Sequence, residues 1–270
     1  MIVSAIIPVY NRPGLLREAY NSCIGQNRED LEVIIVDDGS EPPVKAEASD
    51  RTQVIRVSHT GRPGLLRNIG VKAARGRYIA FLDSDDLWLP GKIEAQLNFF
   101  RENTAIRICH TREKWIRSGK TVSQRGQNHR RHGNIFPDSL VKCVIGPSTV
   151  MMDRALYRET GGFREDISVA EDYEYWLRIT CREDIGYIDE PFTVKRAGDW
   201  EQLSESGPIE YYRITALEKL LDSGDLSEPC RELTVREFAR KCLIYAHGCF
   251  KRGKTEEGRA YLTLSEKYPR

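Results

Sequence analysis

Tyr78-Ile79-Ala80-Phe81-Leu82 runs straight into Asp83-Ser84-Asp85-Asp86. An uninterrupted apolar run of this length reads as a strand buried on both faces, and its abrupt end places an acidic cluster at the strand's carboxyl end. The pattern also occurs one unit earlier, where Leu31 to Val36, apolar except for Glu32, stops at Asp37-Asp38-Gly39-Ser40. Ser4 to Val9 is a third run, closed by Tyr10-Asn11-Arg12-Pro13-Gly14, and Gln53 to Val57 a shorter fourth. Helical signals separate them. Leu16, Ala19, Tyr20 and Cys23 recur at helical spacing within Leu15 to Gly25, and Leu65 to Ala74 forms a second helix before Gly76. Strands alternating with helices predict parallel pairing and right-handed crossovers. Ligands of such sheets sit outside the carboxyl ends of the strands, so Asp37, Asp38, Asp83, Asp85 and Asp86 are expected around one crevice.

Further along, helices are expected at Pro90 to Arg101, Arg154 to Thr160 and Ser168 to Arg182, the last with Glu171 and Asp172 near its start. Ala105 to Arg117 and Gly186 to Thr193 read as strands, Thr149 to Met152 as an apolar stretch, and Gly119 to Gly133 as a polar loop rich in Arg, His and Gln. From about Pro208 the pattern is helical: Ile209 to Asp222, Glu228 to Lys251 and Thr255 to Tyr268. The expected organisation is a domain over 1–205 and a helical extension over 206–270. Ala246-His247-Gly248-Cys249 and Gly258-Arg259-Ala260-Tyr261 have the small-and-aromatic spacing of one tetratricopeptide-like hairpin. One such unit cannot stand alone, so it is expected to pack on the main domain, with partner docking as its other use.

Of the 270 residues 40% are apolar and 30% charged, as in globular proteins, and 41 basic against 40 acidic residues leave a net charge of +1. That balance argues against nucleic acid as the main partner. No apolar run approaches the ~18 residues of a membrane span. Met1 to Val9 lacks a basic leader and a cleavage site, and reads as a buried strand rather than a signal peptide. The seven scattered cysteines form no CxxC pair and are expected as buried filler in a reducing compartment. A cytoplasmic protein is expected.

Carboxylates crowded at a strand end repel one another, and a hard divalent cation such as Mg²⁺ or Mn²⁺ relieves that repulsion. The plainer alternative is an acidic loop in which Asp85 or Asp86 caps a helix starting at Leu87. Asp37-Asp38-Gly39-Ser40 could accept a base imide or a ribose hydroxyl, or be an ordinary turn. Glu171 and Asp172, in the first turn of a helix, are favoured as anions by the helix dipole. An ionised carboxylate there can take a proton from an attacking hydroxyl.

Val3-Ser4-Ala5-Ile6-Ile7-Pro8-Val9-Tyr10-Asn11, Val36-Asp37-Asp38-Gly39-Ser40, Leu66-Arg67-Asn68-Ile69-Gly70 with Ala74-Arg75-Gly76, and Phe81-Leu82-Asp83-Ser84-Asp85-Asp86 resemble, in order, family 2 glycosyltransferases of the GT-A fold. The resemblance covers roughly the first 195 residues. It implies a Rossmann-like α/β sandwich with a mainly parallel sheet that binds a nucleotide sugar, UDP-linked first. It implies a nucleotide site of Pro8, Val9, Tyr10, Asp37, Asp38, Arg67, Asp83 and Ser84, with Asp83 at the ribose and Asp85 on Mn²⁺ or Mg²⁺. Gly161-Gly162-Phe163 and Ala170-Glu171-Asp172-Tyr173-Glu174-Tyr175-Trp176 resemble the family's acceptor side, which makes Asp172 the catalytic base, with Glu171 and Trp176 as weaker acceptor contacts. One base without a second carboxylate nucleophile implies inversion.

Lys195-Arg196-Ala197-Gly198-Asp199 resembles a terminal segment of a bacterial branch, where His often stands at the position of Asp199; Asp199 is then a candidate second metal ligand. Arg125, His129, Arg130, Arg131 and His132 could close over the diphosphate or the acceptor, or form a solvated loop. The acceptor implied is a glycan or lipid-linked hydroxyl, reached from the cytoplasm or at the inner membrane. A non-catalytic nucleotide-sugar sensor is the competing class. A sugar-phosphate nucleotidyltransferase is another, although Tyr10-Asn11-Arg12-Pro13-Gly14 is not its Gly-rich phosphate loop. Residues 105 to 150 carry no legible specificity pattern.

Overall fold

In the computed structural model, which describes residues 1–45, 49–123, 129–198 and 209–269, the apolar runs are strands. Val3–Val9 (β1) and Leu31–Asp37 (β2) are buried at every residue, as strands covered on both faces must be. Thr52–Arg56 (β3) and Tyr78–Phe81 (β4) complete a parallel array in the order β3-β2-β1-β4, with Ile6 opposite both Ile34 and Phe81. Pro13–Ile24 (α1) and Pro63–Ala73 (α2) make crossovers, each opened by a proline whose missing N–H is no loss at a helix start. Leu16, Ala19 and Cys23 of α1 cover one face, and Leu66 and Val71 of α2 the other. The strand order reverses at β1 and β4, so a crevice opens beyond their carboxyl ends.

The sheet continues through Leu87–Trp88 (β5), Ile108–Arg117 (β6), Lys120–Val122 (β7), Val150–Asp153 (β8) and Gly186–Ala197 (β9), in the order β4-β8-β6-β9-β5 with β7 on β6. Because β8 is antiparallel to both β4 and β6, and β9 is parallel to β6, six strands (β1, β2, β3, β4, β6 and β9) share one direction. The expected α/β sandwich with a mainly parallel sheet is therefore found. Lys92–Glu102 (α3), Phe136–Val141 (α4), Arg154–Glu159 (α5) and Glu171–Thr180 (α6) flank this half. One expectation fails here. No helix starts at Leu87: Leu87 and Trp88 pair with Val194 and Thr193, and α3 begins only at Lys92, behind a left-handed Gly91 at φ 86°. Asp86 therefore caps no helix.

Ile209–Asp222 (α7) and Glu228–Lys251 (α8) match their expected bounds, while Thr255–Leu264 (α9) ends earlier than Tyr268. They pack on the outer side of α4 and α6 through Leu217, Phe238 and Cys242 against Leu140, Tyr173 and Leu177. Buried Lys241 fixes the contact, donating to the Val141 carbonyl at 2.8 Å and to Glu210 at 3.1 Å, with Glu237 at 3.2 Å. Gly258 lets the Phe250 ring approach, since a Cβ there would lie 2.6 Å from it. The 205/206 boundary lies outside the described residues. No helix among the described residues is long and apolar enough to cross a membrane.

α3 hides an unusual group. Lys92 is 0% exposed, lies 4.5 Å over the Trp88 ring, and donates to Gln96 Oε1 at 2.6 Å. Gln96 in turn donates to the Thr149 carbonyl at 3.0 Å. Burial pulls the Lys92 ammonium down to about 7. The unfolded chain holds that proton more tightly, so this lysine costs stability progressively as pH falls from its ordinary value towards 7, and no further below. Lys92→Met should thus gain on the wild type over that window, by on the order of 5 kcal/mol in all. Urea unfolding of both proteins between pH 6 and 10 checks it, and a gap independent of pH would refute it.

Candidate active site

At the end of β1, Pro8 and Val9 are buried while Tyr10 is 41% exposed. The Tyr10 ring stacks on His59 at 3.9 Å. Asp38 holds the loop that carries this histidine: Oδ1 accepts from the Thr60 amide at 2.8 Å and hydroxyl at 2.9 Å, and Oδ2 from the Gly61 amide at 2.9 Å. His59 Nδ1 lies 3.0 Å from Asp38 Oδ2. Asp37 does similar work next door, accepting from the Ser40 and Val44 amides and from Arg56. Burial opposes its charge, but those bonds prevail and hold its carboxyl below the ordinary range. The nucleotide-side residues are thus gathered at one end of the sheet. The two aspartates, however, spend their oxygens on loop architecture, and the open surface is the Tyr10–His59 stack. A recess of about 450 Å³ lined by Gly39, Arg56 and His59 adjoins it. His59 was missed by the sequence reading, because nothing local links it to Tyr10.

The acidic turn after β4 is tied down from three sides. Arg67, buried on α2, donates to Asp83 Oδ1 at 2.7 Å and to Glu171 Oε1 at 2.7 Å. Arg12 meets Asp85 Oδ2 at 2.9 Å. Ser148 Oγ accepts from the Asp83 amide at 3.1 Å and donates to Asp86 Oδ2 at 2.6 Å. The Arg196 amide reaches Asp86 Oδ1 at 3.0 Å. Asp86 is buried, and burial, with the charge of Asp83 next, pushes its carboxyl up to about 8. Ser84 is buried. The Ser148 carbonyl accepts from Trp88 Nε1 at 2.8 Å and from Thr193 Oγ1 at 3.2 Å, which explains the rigidity of this support.

Facing the turn is the start of α6. Its N-cap is Ala170 at φ 62°, a left-handed conformation that costs a non-glycine residue roughly 1 kcal/mol. That turn points Glu171 back to Arg67 and leaves Asp172 half-buried at the helix N-terminus, where the dipole favours an anion. Asp172 Oδ1 accepts from the Tyr173 amide at 2.7 Å, and Oδ2 lies 3.5 Å from Cys143 Sγ. Glu171 is buried, and burial raises its carboxyl despite Arg67. Trp176 corrects an expectation: at 1% exposed it packs among Phe163 and Tyr175 and presents no face to an acceptor.

Lys195 was quoted in the sequence but given no role. It projects from β9 opposite Trp115, exposed in the crevice mouth. The surrounding protein works against its charge, yet Glu113, Asp86, Asp83 and Asp172 outweigh this and raise its pKa. The crevice is therefore walled by protein and open to solvent at once, with one ammonium amid four carboxylates.

No three metal-type side chains converge among the described residues. Asp85 and Asp83 supply hard oxygen donors side by side, the chemistry of a Mg²⁺ or Mn²⁺ held by one or two carboxylates and completed by phosphate oxygens. The residues fit a cation shared with a diphosphate, not one caged by protein. Asp199 and Arg125 lie outside the described residues. His129, Arg130, Arg131 and His132 sit beside α4, away from the acidic turn.

A family model described as Glycosyl transferase family 2 matches residues 4–161. An uncharacterized glycosyltransferase of Rickettsia felis is 38% identical over 198 residues, covering 72% of this chain and 33% of that protein, so the chain spans about a third of that relative's length. A putative teichuronic acid biosynthesis glycosyltransferase, TuaG of Bacillus subtilis, is 29% identical over 185 residues, 66% of this chain and 71% of that one. Among solved structures, residues 1–349 of S. aureus TarS in complex with UDP-GlcNAc superpose with a TM-score of 0.72 at 20% identity, covering 90% of this chain and 72% of that one. The sheet is a GT-A sheet.

Removing the Arg67 guanidinium leaves two carboxylates unpaired, one of them buried. Arg67→Ala should lower the unfolding free energy by roughly 3–5 kcal/mol. Adding Glu171→Gln should return part of that loss by removing one stranded charge. Chemical denaturation of the single and double variants reads the coupling; strictly additive losses would show that the bridge carries no weight.

Proposed function

This chain belongs to glycosyl transferase family 2, and we propose that it is an inverting transferase that moves a sugar from a nucleoside-diphosphate donor, UDP-linked first, to a glycan hydroxyl. One observation carries this reading: Arg67 bridges Asp83 and Glu171, setting the acidic turn across the crevice from Asp172. A donor lying along the turn would present its anomeric carbon to the α6 side. The base would lie at the Tyr10–His59 stack and the ribose near Asp83.

Asp172 then accepts the proton of the acceptor hydroxyl as that oxygen bonds to the anomeric carbon, and the bond from that carbon to the diphosphate oxygen breaks on the opposite face. Asp172 stands at the start of α6, where a helix dipole favours negative charge, and its Oδ1 accepts from the Tyr173 amide. Lys195 faces the side on which the leaving diphosphate gathers charge, a preorganised cation there being worth more than one in water. Asp85, with Asp83 beside it, would hold Mn²⁺ or Mg²⁺ jointly with the donor phosphates, and that cation supplies further charge stabilisation of the leaving group. The site of action is then cytoplasmic, at the inner membrane where the acceptor is lipid-linked.

UDP with Mn²⁺ should raise the melting temperature, and Mn²⁺ should be required for slow hydrolysis of a UDP-sugar. Asp172→Asn should cut that turnover by roughly 100-fold or more while keeping the UDP shift. Unchanged turnover would remove Asp172 as the base, and no response to any nucleotide would overturn the donor site.

A further inference from the structure

Apart from the acidic crevice, an open basin of about 660 Å³ is lined by Arg112, His129, Arg130, Arg131, His132 and Tyr187. Its one acidic wall is Asp189, which pairs with Arg112 at 3.5 Å. Arg131 lies over the Tyr187 ring at 5.5 Å and meets its hydroxyl at 3.3 Å, so an aromatic face and a guanidinium line the same hollow. The floor is firm. His110, buried beneath, contacts the Arg131 carbonyl through Nε2 at 2.9 Å, and its ring lies 4.9 Å from Tyr187.

Two signs mark the hollow as electropositive and unsatisfied. His129 Nδ1 is buried with no hydrogen-bond partner among the described residues. Burial first, and then the charge of Arg131, push His110 down to about 4, with His129 and His132 acting in the same direction. His129 stands in the lining with Arg112, Arg130 and Arg131, and guanidinium groups gathered in this way suit an anionic oxygen.

The basin also lies towards the acceptor side. Arg112 precedes Glu113, whose carboxylate would meet a Cβ at Gly146 at 2.9 Å, and Gly146 leads into Ser148 of the acidic turn's support. His129 feels the charges of Lys142 and Asp138, and Cys143, next in sequence, touches Asp172.

We propose that this basin is an acceptor subsite for an anionic glycan, gripping a phosphodiester or carboxylate of the chain while a neighbouring sugar hydroxyl reaches Asp172. The assignment rests on the glycosyltransferase reading. It goes beyond that reading because it assigns the acceptor's chemistry to a basin apart from the Tyr10–His59 end.

The test is anisotropy binding of three fluorescent chains of equal length: an oligogalacturonate, an oligo(glycerol phosphate) and a neutral malto-oligosaccharide. At least one acidic chain should bind, with affinity falling as salt rises, and the neutral chain should not. Binding of one acidic arm alone names the anion. Arg112→Gln with Arg130→Gln should weaken binding at least tenfold, and Asp189→Asn should tighten it severalfold. Lys251→Gln with Arg259→Gln, on the C-terminal helices, should change nothing, which separates a built site from general attraction of polyanions. The melting shift with UDP and Mn²⁺ should survive in every variant, showing that each is folded. That shift without binding of either acidic chain, equal binding of the neutral chain, or full binding by the Arg112/Arg130 double variant overturns the subsite and leaves the transferase reading standing. Loss of the UDP shift in the wild type overturns that reading instead.

Discussion

A buried guanidinium cannot give up its proton and cannot go unpaired, and this constraint organises the crevice. Arg67 is fixed on α2 by the packing of Leu66 and Val71, and it spends two hydrogen bonds on groups far apart in sequence, Asp83 and Glu171. One is the first carboxylate of the acidic turn, the other the first residue of α6. Neither element can shift without stranding a charge in a poorly hydrated place, a change worth several kcal/mol. The turn after β4 and the start of α6 therefore share one pin. The Arg67 guanidinium also lies 5.2 Å from the centre of the Phe163 ring, which keeps it from swinging away.

The second support is the short segment around Ser148. Its hydroxyl addresses the acidic turn, while its carbonyl is claimed from below by Trp88 and Thr193, and Gln96 holds the next carbonyl. A turn rich in like charges would otherwise spring open. Here its three carboxylates have partners on α2, β9, the loop before β8 and, through Arg12, the loop after β1. The cost appears inside the protein, as the raised pKa of the buried Asp86 carboxyl and the lowered pKa of the buried Lys92 ammonium.

Much of this was legible in the chain, for a physical reason. Buried parallel strands must be apolar at every position, so Leu31 to Val36 and Tyr78 to Leu82 announced themselves, and the acidic stops after them marked the crevice. The helices themselves were legible by periodicity, but their starts were expected at Leu65 and Ser168, whereas proline opens one at Pro63 and the left-handed Ala170 opens the other at Glu171. What failed depended on distant pairing. Leu87 and Trp88 look like a helix start, and only β9 makes them a strand. Trp176, whose helical spacing also suited a core position, is buried between its neighbour Tyr175 and Phe163 from the loop before α6. Ser148, His59 and Lys195 have no local signature, since each gains its role from an element brought alongside by the fold. The aspartates of Asp37-Asp38 were placed correctly, but their carboxylates turned out to be occupied by neighbouring amides.

The long pairing of β6 with β9 has one more consequence. The pair runs from the basic basin to the crevice mouth, with His110 beside Tyr187 at one end and Trp115 beside Lys195 at the other, and its register shifts on both sides of Arg112. His110 and Trp115 are five residues apart, which at strand rise is roughly 16 Å. The sheet thereby acts as a ruler. Loops may drift in length or sequence, but the interval between these two ends is set by hydrogen-bond register and cannot be tuned by small steps. A molecule that touches both ends has a minimum length, and a shorter one can use only one end at a time.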